Sequence, residues 1–112
     1  MEQLNKVQLR GYVGRAQTQP IGDSALCRFS VATNYAYTDK SGSQIVDTTW
    51  HYCIAWKSET MPDFSGIVKG AAIELEGRIR NVKYTGNDGV ERSSTEIVVN
   101  SFQILAPPRQ NW

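Results

Sequence analysis

Aromatic and basic side chains are the residues of this sequence whose types and spacing could do chemistry. Residues 49–56 read TWHYCIAW, and a strand sends alternate side chains to opposite faces. One row then holds Trp50, Tyr52, Ile54 and Trp56, while the other row is small and mostly uncharged. The small row fits the interior of a tight barrel, so the bulky row needs another partner. Aromatic rings stack on nucleobases, which makes single-stranded nucleic acid one candidate. A packed core or a subunit interface is the alternative for the two tryptophans.

Other aromatic residues share their strands with basic ones. Tyr12 alternates in phase with Arg10, and Tyr84 closes a segment that carries Arg80 and Lys83. Lysine and arginine follow the phosphates of a bound strand while rings stack on its bases, and every base offers a face for stacking. The pattern therefore favours binding of single strands that reads little of their sequence.

Catalysis and metal binding find little support in the residue pattern. His51 is the one histidine of the sequence, and no nucleophile motif lies beside it. Cys27 and Cys53 lie in apolar runs and lack the C-x-x-C spacing of zinc sites. We therefore predict no enzymatic activity, no cofactor and no metal ion, and we expect both cysteines to be reduced and buried.

Length and charge set further bounds. The sequence has 112 residues, which suits one domain. Its formal net charge is +1, so the total charge does not indicate a particular class of partner. If nucleic acid binds, the basic residues that contact its phosphates must lie together on one face. The sequence contains no run of about 20 apolar residues, and its first residues do not resemble a signal peptide. These features predict a cytoplasmic protein that makes no membrane contact.

Segments that alternate apolar and polar residues, as strands do, lie at residues 5–14, 25–37, 47–57, 72–84 and 91–105. Residues 15–24 contain a proline and a glycine and are predicted to form a loop. Residues 58–70 repeat apolar side chains at helical spacing, and Ser58 or Thr60 could cap a short helix there.

This order of elements predicts an all-β protein with an OB-fold, which is a five-stranded Greek-key barrel with one short helix between strands 3 and 4. Gly11 and Gly77 lie inside otherwise regular strands and fit sharp bends in a small barrel. The apolar row of the fourth strand, which ends at Ile79, is expected to face the core. We assign the domain to residues 1–106 and a short tail to residues 107–112.

A series of short segments also follows a specific order along the chain. They are LNKVQLRGYVG from residue 4, FSVATN from residue 29, TWH from residue 49, KG at residue 69, EGRIR from residue 76 and TEIVVN from residue 95. Together they resemble the bacterial single-stranded DNA-binding protein family over residues 4–105. The resemblance implies an OB-fold that binds single-stranded DNA at the nucleoid, in replication, recombination and repair. It also implies a homo-oligomer, usually a tetramer, although the sequence does not separate tetramer from dimer.

The resemblance also assigns roles to individual residues. The stacking positions of the family fall on Tyr37, Trp50, Trp56 and Tyr84. Independently of the resemblance, the hypothesis of single-strand binding expects phosphate contacts from Arg10, Arg28, Lys57, Arg80 and Lys83. Tyr52 stands where the family often has a polar or basic residue, and His51 falls near a subunit contact of the family.

One departure concerns the end of the sequence. Family members usually carry a long glycine-rich tail with an acidic tip that recruits replication and repair enzymes, whereas residues 107–112 hold no acidic cluster. The sequence is therefore expected to be either a truncated member or a tailless one, and a tailless member is expected to coat DNA but to recruit enzymes poorly. The alternative is an OB-fold accessory protein of primosome or mobile-element type that acts mainly through protein contacts.

Overall fold

Five strands form the protein, and the computed structural model describes them within residues 1–108. They are β1 (Val7–Ile21), β2 (Ser24–Thr38), β3 (Gln44–Trp56), β4 (Ala72–Thr85) and β5 (Glu91–Ala106). The strands close into a barrel in the order β1-β2-β3-β5-β4. All neighbours pair antiparallel except β3 and β5, which run parallel. This arrangement confirms the predicted OB-fold. Residues 109–112 of the predicted tail lie outside the described residues.

The core fills the barrel with the inward rows of the strands. Its fully buried members include Val31, Ile73 and Leu75. Cys27 and Cys53 are also buried there as free thiols, as the sequence predicts. Burial raises the pKa of both thiols, that of Cys53 to about 12, because a thiolate would be desolvated. Both side chains therefore act as small apolar core residues.

The first strand is longer than the sequence predicts. The predicted loop at residues 15–24 is wrong, because β1 continues to Ile21 and pairs with β2 up to a two-residue turn at Gly22 and Asp23. β4 pairs with β1 only over Val7–Tyr12, so the later part of β1 is an edge strand. An edge tolerates the proline at position 20, which had suggested a loop.

The predicted helix is reduced to one turn. Within the described residues, the segment between β3 and β4 holds only the 3-10 turn Phe64–Gly66, and Asp63 caps it by accepting the Ser65 N–H at 3.0 Å. Neither Ser58 nor Thr60 is the cap. The hydrogen bonds from Ser65 lower the pKa of the Asp63 carboxyl. None of the helical segments within residues 1–108 is long and apolar enough to cross a membrane.

Two glycines lie where neighbouring backbones approach closely. A Cβ at Gly11 would overlap the Ala32 carbonyl oxygen, and one at Gly77 would overlap that of Val98. The pairing of β4 with β5 is irregular at Gly77, in agreement with the predicted bend. The expectation that Ile79 faces the core is wrong, because β4 has left β1 by that point and Ile79 is 47% exposed.

Two hairpins extend beyond the barrel. β2 and β3 pair only with each other over residues 33–49, which we call the β2–β3 arm. β4 and β5 do the same over residues 79–96, which we call the β4–β5 arm. At the tip of the β2–β3 arm, the Asp39 carboxylate accepts hydrogen bonds from the backbone N–H groups of Ser41 and Ser43. The Ser41 hydroxyl also donates to this carboxylate at 2.7 Å, and this bond, followed by the backbone bonds, lowers the pKa of Asp39.

Candidate nucleic-acid interface

The outward side of β3 carries an exposed aromatic row. Trp50, Tyr52 and Trp56 are 50%, 65% and 46% exposed. They share one side of the strand, because the pairing of β2 with β3 is regular from Leu26 to Thr38. The alternative that the two tryptophans fill the core is therefore wrong. We call the outward side of the barrel around this row the outer face.

One member of the row, Ile54, is buried. Its side chain is 2% exposed and packs with Leu26 and Val98 in a small cluster on the outside of the barrel. This cluster covers the place where β3 and β5 meet, through the pairs Cys53–Ile97 and Ile54–Val98. The cluster thus supports the barrel at its parallel junction and separates Tyr52 from Trp56.

A groove of about 600 Å³ opens beside Trp50 and Tyr52. Its other wall comes from β1, where the register shifts between Val13 and Arg15. The extra residue, Gly14, lies directly under the Trp50 indole, and any side chain there would collide with the ring. The bulge and the missing side chain thus let β1 hold the ring of Trp50 against the sheet.

Sequence reasoning missed part of this groove. Arg15, Gln17 and Glu96 line it together with Trp50 and Tyr52. Arg15 and Gln17 were assigned to a loop, and their alternation with Ala16 was the signal that could have placed them on a strand. Tyr52 had been given less weight, yet it lies in the groove wall.

A half-buried carboxylate connects two of the predicted phosphate ligands. The side chain of Glu96 is 14% exposed and lies between Arg80 and Arg28 on the outer face. Arg80 donates from Nε to Glu96 Oε1 at 3.0 Å, and its Nη2 donates to the same oxygen. Arg28 Nη1 is 4.0 Å from the other oxygen, Oε2. The two guanidinium groups therefore share one counter-charge.

The remaining two predicted stacking residues lie on the arms. Tyr84 is 47% exposed and alternates in phase with Arg80, so it continues the outer face along the β4–β5 arm, roughly 13 Å beyond Arg80 at the usual rise of a strand. Tyr37 pairs with Ile45 and shares the phase of Val31, so it lies on the other side of the β2–β3 arm from Trp50. Its ring centroid is 6.0 Å from that of Tyr35. Three of the four predicted stacking residues thus share one face.

The other predicted phosphate ligands lie away from the groove. Arg10 Nε donates to Glu74 Oε2 at 2.7 Å, where β1 pairs with β4. Lys83 Nζ is 3.9 Å from Glu91 Oε1 on the β4–β5 arm. Lys57 Nζ lies 5.9 Å from the centroid of the Phe64 ring. These three cations are therefore spread around the molecule.

His51 has a structural environment. It is half-buried on the side of β3 opposite Trp50, and its Nε2 is 2.8 Å from the Thr33 hydroxyl oxygen. Within residues 1–108, His, Cys, Asp and Glu side chains form no group that could hold a metal ion. The histidine therefore bonds to its neighbouring strand.

Comparisons with known proteins agree with this architecture. The model of the "Single-strand binding protein family" matches residues 4–105. A single-stranded DNA-binding protein of Neisseria meningitidis is 37% identical over 96% of this chain and 63% of its own length. One of Xanthomonas campestris is 35% identical over 91% of this chain and 60% of its own length. The chain thus spans less than two thirds of these curated relatives.

Solved structures are similar over the whole barrel. A Plasmodium falciparum SSB in complex with ssDNA superposes with a TM-score of 0.77 at 25% identity, covering 95% of this chain and 96% of the other. A small single-stranded DNA-binding protein of Streptomyces coelicolor gives a TM-score of 0.68 at 18% identity, over 93% and 95% of the two chains. The second match supports the fold alone.

Proposed function

This chain belongs to the single-strand binding protein family, and from that premise we propose that it binds single-stranded DNA with little regard to sequence. The observation that carries the proposal is the exposed row of Trp50, Tyr52 and Trp56 beside a groove with basic walls. Aromatic rings that remain in water do not gain the free energy of burial. Nucleobases are flat partners that can cover such rings by stacking. The protein acts by binding and protecting the strand.

The stacking platform extends from the groove onto the arms. Trp50 is held against Gly14 and offers its free face to a base. Trp56 offers a second exposed ring on the far side of the Leu26–Ile54–Val98 cluster. Tyr84 continues the path along the β4–β5 arm. Tyr37 contacts the same strand only if the DNA passes around the β2–β3 arm, since it lies on that arm's opposite side.

Phosphate contacts complete the interface. Arg28 and Arg80 flank the aromatic row, and Arg15 on the groove wall joins them. Arg10, Lys57 and Lys83 contribute less, because they lie away from the groove and from the aromatic row beside it. Neutralising phosphates releases counterions, so the affinity falls as salt rises.

The wider role follows from the family. We place residues 1–106 in a DNA-binding domain that works in replication, recombination and repair in the cytoplasm, associated with the nucleoid. The proposal includes self-association, as a tetramer or a dimer, since Tyr12 and Leu4 add exposed apolar surface on the β1 side. The Neisseria relative is named a single-stranded DNA-binding protein, and the Plasmodium structure contains ssDNA, which supports the assignment.

Intrinsic tryptophan fluorescence tests the proposal. The sequence has three tryptophans, so Trp112→Phe leaves Trp50 and Trp56 as the reporters. Titration with a dT oligonucleotide should quench the emission to saturation, and added salt should reverse the quenching. If emission stays constant while the circular dichroism is native, the aromatic row is not a base platform. The accessory protein that acts through protein contacts then becomes the better interpretation.

A further inference from the structure

Glu96 is the only carboxylate among the described residues that line the groove. Its side chain is 14% exposed, whereas its two basic neighbours remain open to solvent, Arg28 with 62% and Arg80 with 44% of the side chain exposed. An anion in the middle of a surface that binds a polyanion lowers the affinity by charge repulsion. Its presence there therefore calls for a functional explanation.

The geometry shows what Glu96 does before DNA arrives. Both contacts from Arg80 go to Oε1, while Oε2 is 4.0 Å from Arg28 Nη1, beyond hydrogen-bonding distance. Glu96 thus neutralises Arg80 closely and attracts Arg28 without fixing it. A carboxylate and a phosphate present similar paired oxygens to a guanidinium group, so both compete for the same donors.

Resting on the proposed function, we propose that Glu96 is a built-in competitor of the DNA phosphates. A bound strand takes Arg28 and Arg80 from Glu96, and Glu96 takes them back when the strand leaves. The exchange lowers the affinity and speeds release, because each arginine–phosphate contact replaces an existing ion pair. Stacking on Trp50 and Trp56 then contributes a larger share of the affinity than charge does.

This role differs from that of the other ion pairs. The Arg10–Glu74 and Lys83–Glu91 pairs lie outside the groove, and their carboxylates do not face the aromatic row. Removing either carboxylate raises the net charge by one unit, as removing Glu96 does, but frees no arginine of the groove. The position of the charge can therefore be separated from its amount.

The test compares Glu96→Gln with Glu91→Gln in equilibrium binding to a dT oligonucleotide at several salt concentrations. Glu96→Gln should bind about five- to tenfold more tightly at low salt, with a slope of log K against log[salt] steeper by about 0.7 for each arginine freed. Its dissociation in stopped-flow mixing should slow by a similar factor. Glu91→Gln should change affinity less than twofold.

A background without the two arginines identifies the mechanism. In Arg28→Gln/Arg80→Gln, the further change Glu96→Gln should no longer increase affinity beyond the effect of Glu91→Gln. If Glu96→Gln binds as the wild type does or more weakly, Glu96 only positions the arginines and the inference is wrong. Glu96→Thr gives the same comparison if thermal melting shows that the Gln variant is unfolded. A wild-type protein that ignores the oligonucleotide would instead overturn the proposed function.

Discussion

On the inner side of β3, Cys53 and Ala55 are 4% and 0% exposed, while on its outer side Trp50 and Trp56 keep about half of their surface in solvent. The smallest side chains of the strand are thus buried and the largest are not. The barrel interior has room only for small residues at this point, since Phe29 and Val31 of β2 already fill it. Burial in β3 is decided by the space available, and the large outward rings are free for a ligand.

Ile54 qualifies this comparison, because it belongs to the outer row and is nevertheless buried. Leu26 and Val98 enclose it from the two neighbouring strands. The outer face therefore has a structural position between the positions that we propose to bind DNA. Substitutions along a single row should then separate stability from DNA affinity.

The largest expected effect is at Ile54. Ile54→Ala should lower the free energy of unfolding by about 2–5 kcal/mol, since it removes buried methyl groups over the β3–β5 junction. Urea denaturation followed by circular dichroism measures the change. Tyr52→Ala, two residues away and exposed, should change stability by less than about 0.5 kcal/mol. Equal losses at the two positions would show that the row is not divided as described.

A smaller effect is expected at the tryptophans, and on binding rather than stability. Trp50→Ala and Trp56→Ala should each weaken DNA binding by about 1–3 kcal/mol while the fold remains native. Fluorescence anisotropy of a labelled oligonucleotide measures the affinity. Ile79→Ala is a matched control, because Ile79 is 47% exposed but lies on the other side of the β4–β5 arm. Unfolding of either tryptophan variant would assign that ring to the structure instead.

The smallest effect is expected at Lys83. Its side chain is 79% exposed and faces Glu91 at 3.9 Å, so Lys83→Gln should change DNA affinity by less than about 0.5 kcal/mol. Arg28→Gln, on the groove, should cost more and should also reduce the salt dependence. The same anisotropy titration at two salt concentrations distinguishes them. A larger loss at Lys83 would place the phosphates on the side of the β4–β5 arm opposite Arg80 and Tyr84.

The alternation of residues in the sequence was enough to predict the barrel and much of its surface. The succession of five strands typical of an OB-fold, the buried cysteines and the exposure of Trp50 and Trp56 follow from alternating rows and from the small row opposite the rings. The side of Tyr37 is also encoded, because the alternation from Phe29 to Tyr37 is unbroken, although the resemblance grouped it with Trp50 among the stacking positions.

Other features depend on contacts between distant segments. The bulge at Gly14 re-phases β1 and brings Arg15 to the groove, which no local pattern indicates. The burial of Ile54 requires β5 to lie beside β3, and the pairing of Arg80 with Glu96 requires the register of β4 on β5. The predicted helix was too long, because Phe64 and Ile67 have helical spacing but reach the core from a single 3-10 turn and the residue after it.

The edge of β1 has a consequence for solubility. Ala25 uses its carbonyl to accept the Lys57 N–H at 2.9 Å, so the backbone groups of the Pro20–Ala25 pair point away from each other. The N–H that proline lacks is therefore one that would have pointed outward from the sheet, where β1 has no further strand. An exposed edge with a full set of donors can recruit a strand from another molecule and start a β-aggregate. Pro20 interrupts that template, which would keep copies of the protein from aggregating if they gather on one DNA strand, as the proposed function implies.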